Sequence, residues 1–378
     1  MKTPNTLLIA AAVLASLTSS CSGSTEATAD TAADDSLLLF AGSYAPADSA
    51  GIRVFAFDQE TARWTPLAGA SGVSNPAFRA LDAPRHRLYS VGEDSGETST
   101  VNLLTYAPDG SAITLVDTDT TGGAAPCHIA LTPDSAHVVT ANYLGGSITV
   151  YPLDSAGRFD GQPTILKFSG SGPDATRQTQ PHLHQVSFGP DSTMFANDLG
   201  TDRIHIIPAP YTGAGAKDWA SAPGSGPRHT VFAPGGKSAY MLSEIGGTVS
   251  VLGIDGTEIT LLQTVAADTV GAQGSADIHL SPDGRFLYAS NRLAADGIAI
   301  FAVDPDSGLL TRAGYCPTGP HPRNFAITPN GKWLLVACRD SDTIEIYARD
   351  SATGLLTPAG ESIAMPRPTC LLFTPAGQ

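Results

Sequence analysis

The sequence predicts an all-β fold: a seven-bladed β-propeller whose ring is closed by a C-terminal strand joining the N-terminal blade. Three observations predict it. The chain of 378 residues carries only 15% charged residues but 39 Gly and 28 Pro, a composition of many short strands and tight turns. One phrase recurs six times at near-regular spacing. The two chain ends supply complementary parts of a further copy.

The phrase has a polar or Pro-led start, alternating apolar residues, a Pro-Asp-Gly-like turn, then an apolar run ending in polar residues. Its copies are "NPAFRALDAPRHRLYSVGE" from Asn75, "APCHIALTPDSAHVVTANY" from Ala125 and "QPHLHQVSFGPDSTMFANDL" from Gln180. Next come "GPRHTVFAPGGKSAYMLSE" from Gly226, "SADIHLSPDGRFLYASNR" from Ser275 and "HPRNFAITPNGKWLLVACR" from His321. A shortened copy, "RPTCLLFTPAG", starts at Arg367. The turn prolines Pro133, Pro190, Pro234, Pro282, Pro329 and Pro375 lie 44 to 57 residues apart, with room for two more strands in each gap. Four short strands per repeat is the propeller pattern. The last copy stops after a first strand, while "LLLFAGSY" and "GIRVFAFD" near the N-terminus match second and third strands. Six full copies and one shared blade make seven, and sharing removes the open sheet edges.

The propeller is expected over residues 37–378. Before it, Lys2 and the apolar run Leu7 to Leu17 suit a signal peptide, too short for an ordinary membrane span. "TSSC" then places Cys21 as the lipidated residue of a bacterial lipoprotein, with Thr18 where the lipobox usually has Leu; the alternative is an ordinary signal peptide with a chance Cys. Residues 1–21 are thus expected to be a leader, and 22–36 a small, acidic, disordered tether. The expected location is the bacterial envelope after export, with membrane contact only through the lipid. Cys127, Cys316, Cys338 and Cys370 fit no zinc spacing and are expected as buried free thiols. A net charge of −15 argues against nucleic acid.

Repeats allow equivalent slots to be compared. The sixth residue before the turn Pro, near the start of the innermost strand, is Cys127, His184, Arg228, Ala276, Arg323 or Thr369. The next is His128, Gln185, His229, Asp277, Asn324 or Cys370. The tenth residue after the turn, ending the second strand, is Tyr143, Glu244, Arg292 or Arg339, with Glu93 and Tyr44 by similarity; the third copy, one residue short, offers Asp198-Leu199. Antiparallel pairing brings both slots to one end of the channel. Several arginines, a carboxylate and imidazoles meeting in a concavity form a binding-site candidate, although salt bridges across the channel would use the same residues. His182 and His184 share a strand face and resemble metal ligands when taken alone. His184 shares its slot with Arg228 and Arg323, and that cationic company argues against a metal. No cofactor is expected.

With these residues in place, the chain resembles the lactonase family of seven-bladed propellers, typified by bacterial 6-phosphogluconolactonase and related to carboxy-cis,cis-muconate cyclase. The resemblance is carried by "FAGSY…GIRVFAFD", "NPAFRAL", "PCHIALTPD…VVTANYLGGSITVYPL", "GSGPDATRQTQPHLHQVSFGPD…NDLGTDRI", "GPRHTVFAPGGKSAYMLSE", "IHLSPDGRFLYASNR" and "PRNFAITPNGKWLLVACRDSDTIEIY". It implies an active site of His182 or His184 with Arg228, Glu244 and Arg292, and hydrolysis of a sugar lactone similar to 6-phosphogluconolactone. His184 or Glu244 would accept the proton of water, with His182 as the alternate. Arg228 or Arg292 would face the oxyanion, and Arg323 or Arg177 a phosphate or carboxylate. His128, Asn142, His229, Asp277 and Asn324 are the remaining expected substrate contacts. The sequence departs from the family at Asp277, where Glu is usual, in the shortened third copy, and at Arg85-His86 in the first turn. Phosphorylated sugars are normally cytoplasmic, so export points to an unphosphorylated lactone. A lactonising cyclase and a non-catalytic propeller binding a glycan or a protein are the alternatives.

Overall fold

A computed structural model describes residues 36–96 and 98–377; the expected leader and nearly all of the expected tether lie outside them. Seven four-stranded antiparallel sheets form the whole of the described fold, apart from two short 3-10 turns. We number the blades in chain order: 79–120, 126–167, 183–220, 227–266, 275–317 and 322–364 for blades 1 to 6. Blade 7 joins Pro368–Pro375 to the three strands within 36–70. The closing pairing runs from Leu37↔Pro375 to Ser43↔Pro368, with one register shift after Gly42↔Cys370. The expected architecture and ring closure are therefore what the structure contains, with the first strand starting at Ser36.

Each of the seven apolar clusters fills the space between two neighbouring blades. Leu38, Phe40 and Val54 of blade 7 meet Leu88 and Leu104 of blade 1. Tyr240 and Val249 of blade 4 meet Ile278, Leu287 and Phe301 of blade 5. Because a blade has a neighbour on both faces, its inner strands bury both: Leu37 to Ala41 are each at most 1% exposed. This is why those strands read as continuous apolar runs and not as strict alternation.

The Pro-Asp-Gly turns share one geometry. Position three takes a positive φ at His86, Ser135, Ser192, Gly236, Gly284 and Gly331. Only Gly adopts this region without a Cβ clash, so three turns use it and three bear the cost of a side chain. The turn carboxylate or amide closes the loop: Asp283 Oδ1 accepts from Ser281 Oγ and the Arg285 N–H, and Asn330 Oδ1 accepts from Thr328 Oγ1 and the Lys332 N–H. All these turns lie on one face of the disc. First-strand starts and second-strand ends lie on the other, where the channel opens. Cys127, Cys316, Cys338 and Cys370 are free and buried, as expected.

Candidate active site

Two repeated backbone features build the channel mouth. In blades 2, 3, 4, 6 and 7 the pairing of the first strand with the second skips one first-strand residue: Cys127, His184, Arg228, Arg323 and Thr369. Blade 5 has a similar irregularity at Ala276-Asp277. A residue that a β-bulge frees from the ladder can re-aim its side chain, and all five of these line the channel. The second feature is a single hydrogen bond at the end of each second strand. The N–H groups of Tyr44, Glu93, Tyr143, Leu199, Glu244, Arg292 and Arg339 donate to the carbonyls of Arg367, Asn75, Ala125, His182, Gly226, Gly274 and His321, at 2.8 to 3.1 Å. In blade 3 this slot holds the apolar Leu199. The segment before that blade inserts Arg177, anchored where its neighbour Gln178 donates to Leu199 O and Asp202 Oδ1.

The result is a cavity of about 200 Å³ lined by Tyr44, Glu93, Cys127, Tyr143, Arg177, His184, Glu244, Arg292 and Arg323. A void of about 10 Å³ adjoins it, sharing Cys127, His184 and Arg323 and adding Phe78, Arg228, His229 and Thr369. Glu244 is the electrostatic centre. Its Oε1 accepts from Arg177 Nη2 at 2.6 Å, and its Oε2 lies 2.8 Å from Arg228 Nε and 3.3 Å from Arg292 Nη2. Burial alone would raise its pKa, but Arg292, Arg228 and Arg177 outweigh that and hold it at about 2. Burial lowers Arg292 to about 9, Glu244 opposing and Arg228 and Arg323 adding to the shift, so the guanidinium stays charged at neutral pH. Four arginines against two carboxylates leave the site positive within an acidic protein.

His184 has a buried Nδ1 without a hydrogen-bond partner, and its ring meets those of Tyr143 and His229 edge-on. Burial, then Arg228, His229, Arg323 and Arg292, push its pKa well below the usual histidine value, so it is a neutral imidazole. His182 lies outside the cavity lining. It stacks on Tyr143 at 4.3 Å, and its Nδ1 is 2.9 Å from Tyr143 O, so it backs the wall. Asn142 is placed away from the site altogether. It is fully buried, and its amide donates to Ser147 Oγ and Thr149 Oγ1 within blade 2, which leaves no polar face for a ligand.

His128, His229, Asp277 and Asn324 form a layer beyond the mouth. Asp277 Oδ1 is 2.7 Å from His229 Nδ1, and its Oδ2 accepts from Asn324 Nδ2. The other His229 nitrogen accepts from Arg228 Nη1 at 3.2 Å. That chain, Asp277 to His229 to Arg228 to Glu244, assigns the histidine tautomer. His229 is lowered to about 4 by burial and Arg228, with Asp277 opposing. His128 packs against Phe78 with the rings tilted by 34° and centroids 4.2 Å apart, and its Nδ1 is unpartnered. The slot comparison reaches Tyr44 and Glu93 only by similarity, yet both line the cavity. Arg339 shares the slot but turns to Asp340 at 2.6 Å.

Residues 38–373 match the family described as "Lactonase, 7-bladed beta-propeller". The chain belongs to this lactonase family. Within it, a 6-phosphogluconolactonase of Formosa agariphila is 34% identical over 79% of this chain and 88% of its own length. That of Bacillus subtilis is 31% identical over 79% and 87%. Among solved structures, a candidate 6-phosphogluconolactonase of Bacteroides fragilis superposes with a TM-score of 0.86 at 46% identity, covering 91% of this chain and 99% of the other. The periplasmic gluconolactonase of Pseudomonas aeruginosa gives a TM-score of 0.84 at 29% identity, covering 90% and 99%.

Proposed function

We propose that the protein hydrolyses a sugar lactone to the open-chain acid. The carrying observation is the group of guanidiniums that Glu244 holds at the mouth of a cavity sized for one small ring. When water attacks a lactone carbonyl, negative charge grows on the carbonyl oxygen. Donors already fixed in place stabilise that charge without reorganising, and this is commonly the largest single contribution to the rate. Arg228 and Arg292 are such donors. Glu244 orders them; a carboxylate held at about 2 and bonded at both oxygens is a weak base near neutrality. The neutral His184 imidazole can accept a hydrogen bond from the attacking water. Arg177 and Arg323 supply positive charge for a phosphate or the product carboxylate.

The names borne by the relatives support this reading, and the periplasmic gluconolactonase supports an unphosphorylated substrate for an exported protein. Export as a lipoprotein through Cys21 belongs to the same proposal, and membrane fractionation of cells tests it. The decisive assay measures hydrolysis of δ-gluconolactone and of its 6-phosphate, corrected for spontaneous opening. Turnover of at least one is expected, with the unphosphorylated lactone preferred. Replacing Arg228 or His184 by Ala should bring turnover close to background. Full activity in both variants would refute the site.

A further inference from the structure

Building on lactone hydrolysis, we propose that Glu93 is the proton acceptor for the attacking water and that Tyr44 positions it. Glu93 directly follows the second strand of blade 1, and Tyr44 the equivalent strand of blade 7; both line the cavity. The Tyr44 hydroxyl lies 2.9 Å from each Glu93 carboxylate oxygen. Its ring is held by two guanidiniums, Arg323 at 5.1 Å and Arg367 at 5.2 Å from the centroid. Arg323 Nη2 stands 3.7 Å from Glu93 Oε1, beyond hydrogen-bond reach. Glu93 therefore receives one hydroxyl and one loose cation, whereas both oxygens of Glu244 are taken by three guanidiniums. An ionised carboxylate offers about four acceptor positions, so Glu93 keeps room for a water.

The groups around Glu93 come from five blades: Tyr44 of blade 7, Arg323 of blade 6, Arg228 of blade 4, the Cys127 thiol of blade 2, and Asp94 next to it in blade 1. Burial raises its proton affinity; Arg323, the Tyr44 bond and Arg228 partly oppose this, and Asp94 adds to it. The two carboxylates of the cavity are thus driven in opposite directions. That separation assigns the base to Glu93 and the fixed charge to Glu244.

The step balances. Glu93 takes one proton from water as the water oxygen bonds to the carbonyl carbon. The carbonyl electron pair moves to the oxygen, which Arg228 and Arg292 stabilise. On collapse the bond from carbon to ring oxygen breaks, and the ring oxygen leaves as a hydroxyl that takes the proton back from Glu93. The product acid then ionises to solvent.

The test is background-corrected hydrolysis of δ-gluconolactone from mildly acidic to neutral pH. For the wild type, kcat should fall on the acid side through a value above the usual glutamate range. Glu93→Gln should lower kcat by about 100-fold or more and remove that limb, with KM changed by only a few fold. Glu93→Ala should be partly rescued by added formate. Tyr44→Phe removes a bond that favours the ionised carboxylate, so it should shift the limb to higher pH. A Glu93→Gln protein with wild-type kcat and an intact limb would overturn the proposal. So would a folded Glu93→Ala protein that formate does not rescue together with an unshifted limb in Tyr44→Phe. A wild-type protein inert on every lactone would instead overturn the lactonase reading, and the base assignment with it.

Discussion

Glu244 shows how one side chain can determine the character of a site. Removing its charge leaves two buried guanidiniums, Arg228 and Arg292, and the partly exposed Arg177 facing one another. Breaking a buried ion pair from one side commonly costs about 3–5 kcal/mol, so Glu244→Gln should lower thermal stability measurably as well as reduce kcat/KM by about 100-fold or more. The acid response has a definite sign. Its folded pKa of about 2 lies below the usual glutamate value of 4.5. The stability it contributes is therefore present above about 4.5 and lost as pH falls toward 2. Acid unfolding of wild type and Glu244→Gln should converge across that interval. At this scale the sequence was informative wherever a slot repeated: His184, Arg228, Glu244, Arg292 and Arg323 meet around one opening. It was uninformative where the partner is private to one blade. Asn142 ends a second strand one position before the slot that the site residues occupy, and a serine and a threonine of its own blade take its amide. Arg177 has no repeated counterpart, so only the folded chain shows it reaching Glu244.

At the scale of elements, the bulge and the turn are the two devices copied from blade to blade. The repeat shows which residues share a slot. It does not show that the slot is an extra residue, because alternation along a strand assigns faces and says nothing of a skipped pairing. The turn is more legible, since Gly recurs where a positive φ is required. Gly284 provides a clean test. A Cβ there would sit 3.7 Å from Pro234 Cγ, an ordinary contact, so only backbone strain is added. Gly284→Ala should then cost about 1–2 kcal/mol in denaturant unfolding, with lactone turnover unchanged, because the turn lies on the face away from the cavity.

For the whole molecule, closure by the last strand makes seven equivalent inter-blade cores from a chain whose ends would otherwise leave two edges open. Ring size and closure were readable because each end matches a different strand of the same repeat. The cavity's charge balance was not, because it depends on charged residues from four blades and one insertion. If Cys21 carries the lipid, Cys21→Ser should transfer the protein from membrane to soluble fractions without altering turnover. The closing strand also sets the face on which the chain enters the disc. The strand Ser36–Ser43 enters on the turn face, beside Pro375, and reaches Tyr44 at the opening. The stretch from Cys21 to Ser36 spans 15 residues, about 50 Å when fully extended. A copy anchored at Cys21, as proposed, would be tethered from its turn face, so the point of attachment and the opening that admits the lactone would lie on opposite sides of the disc.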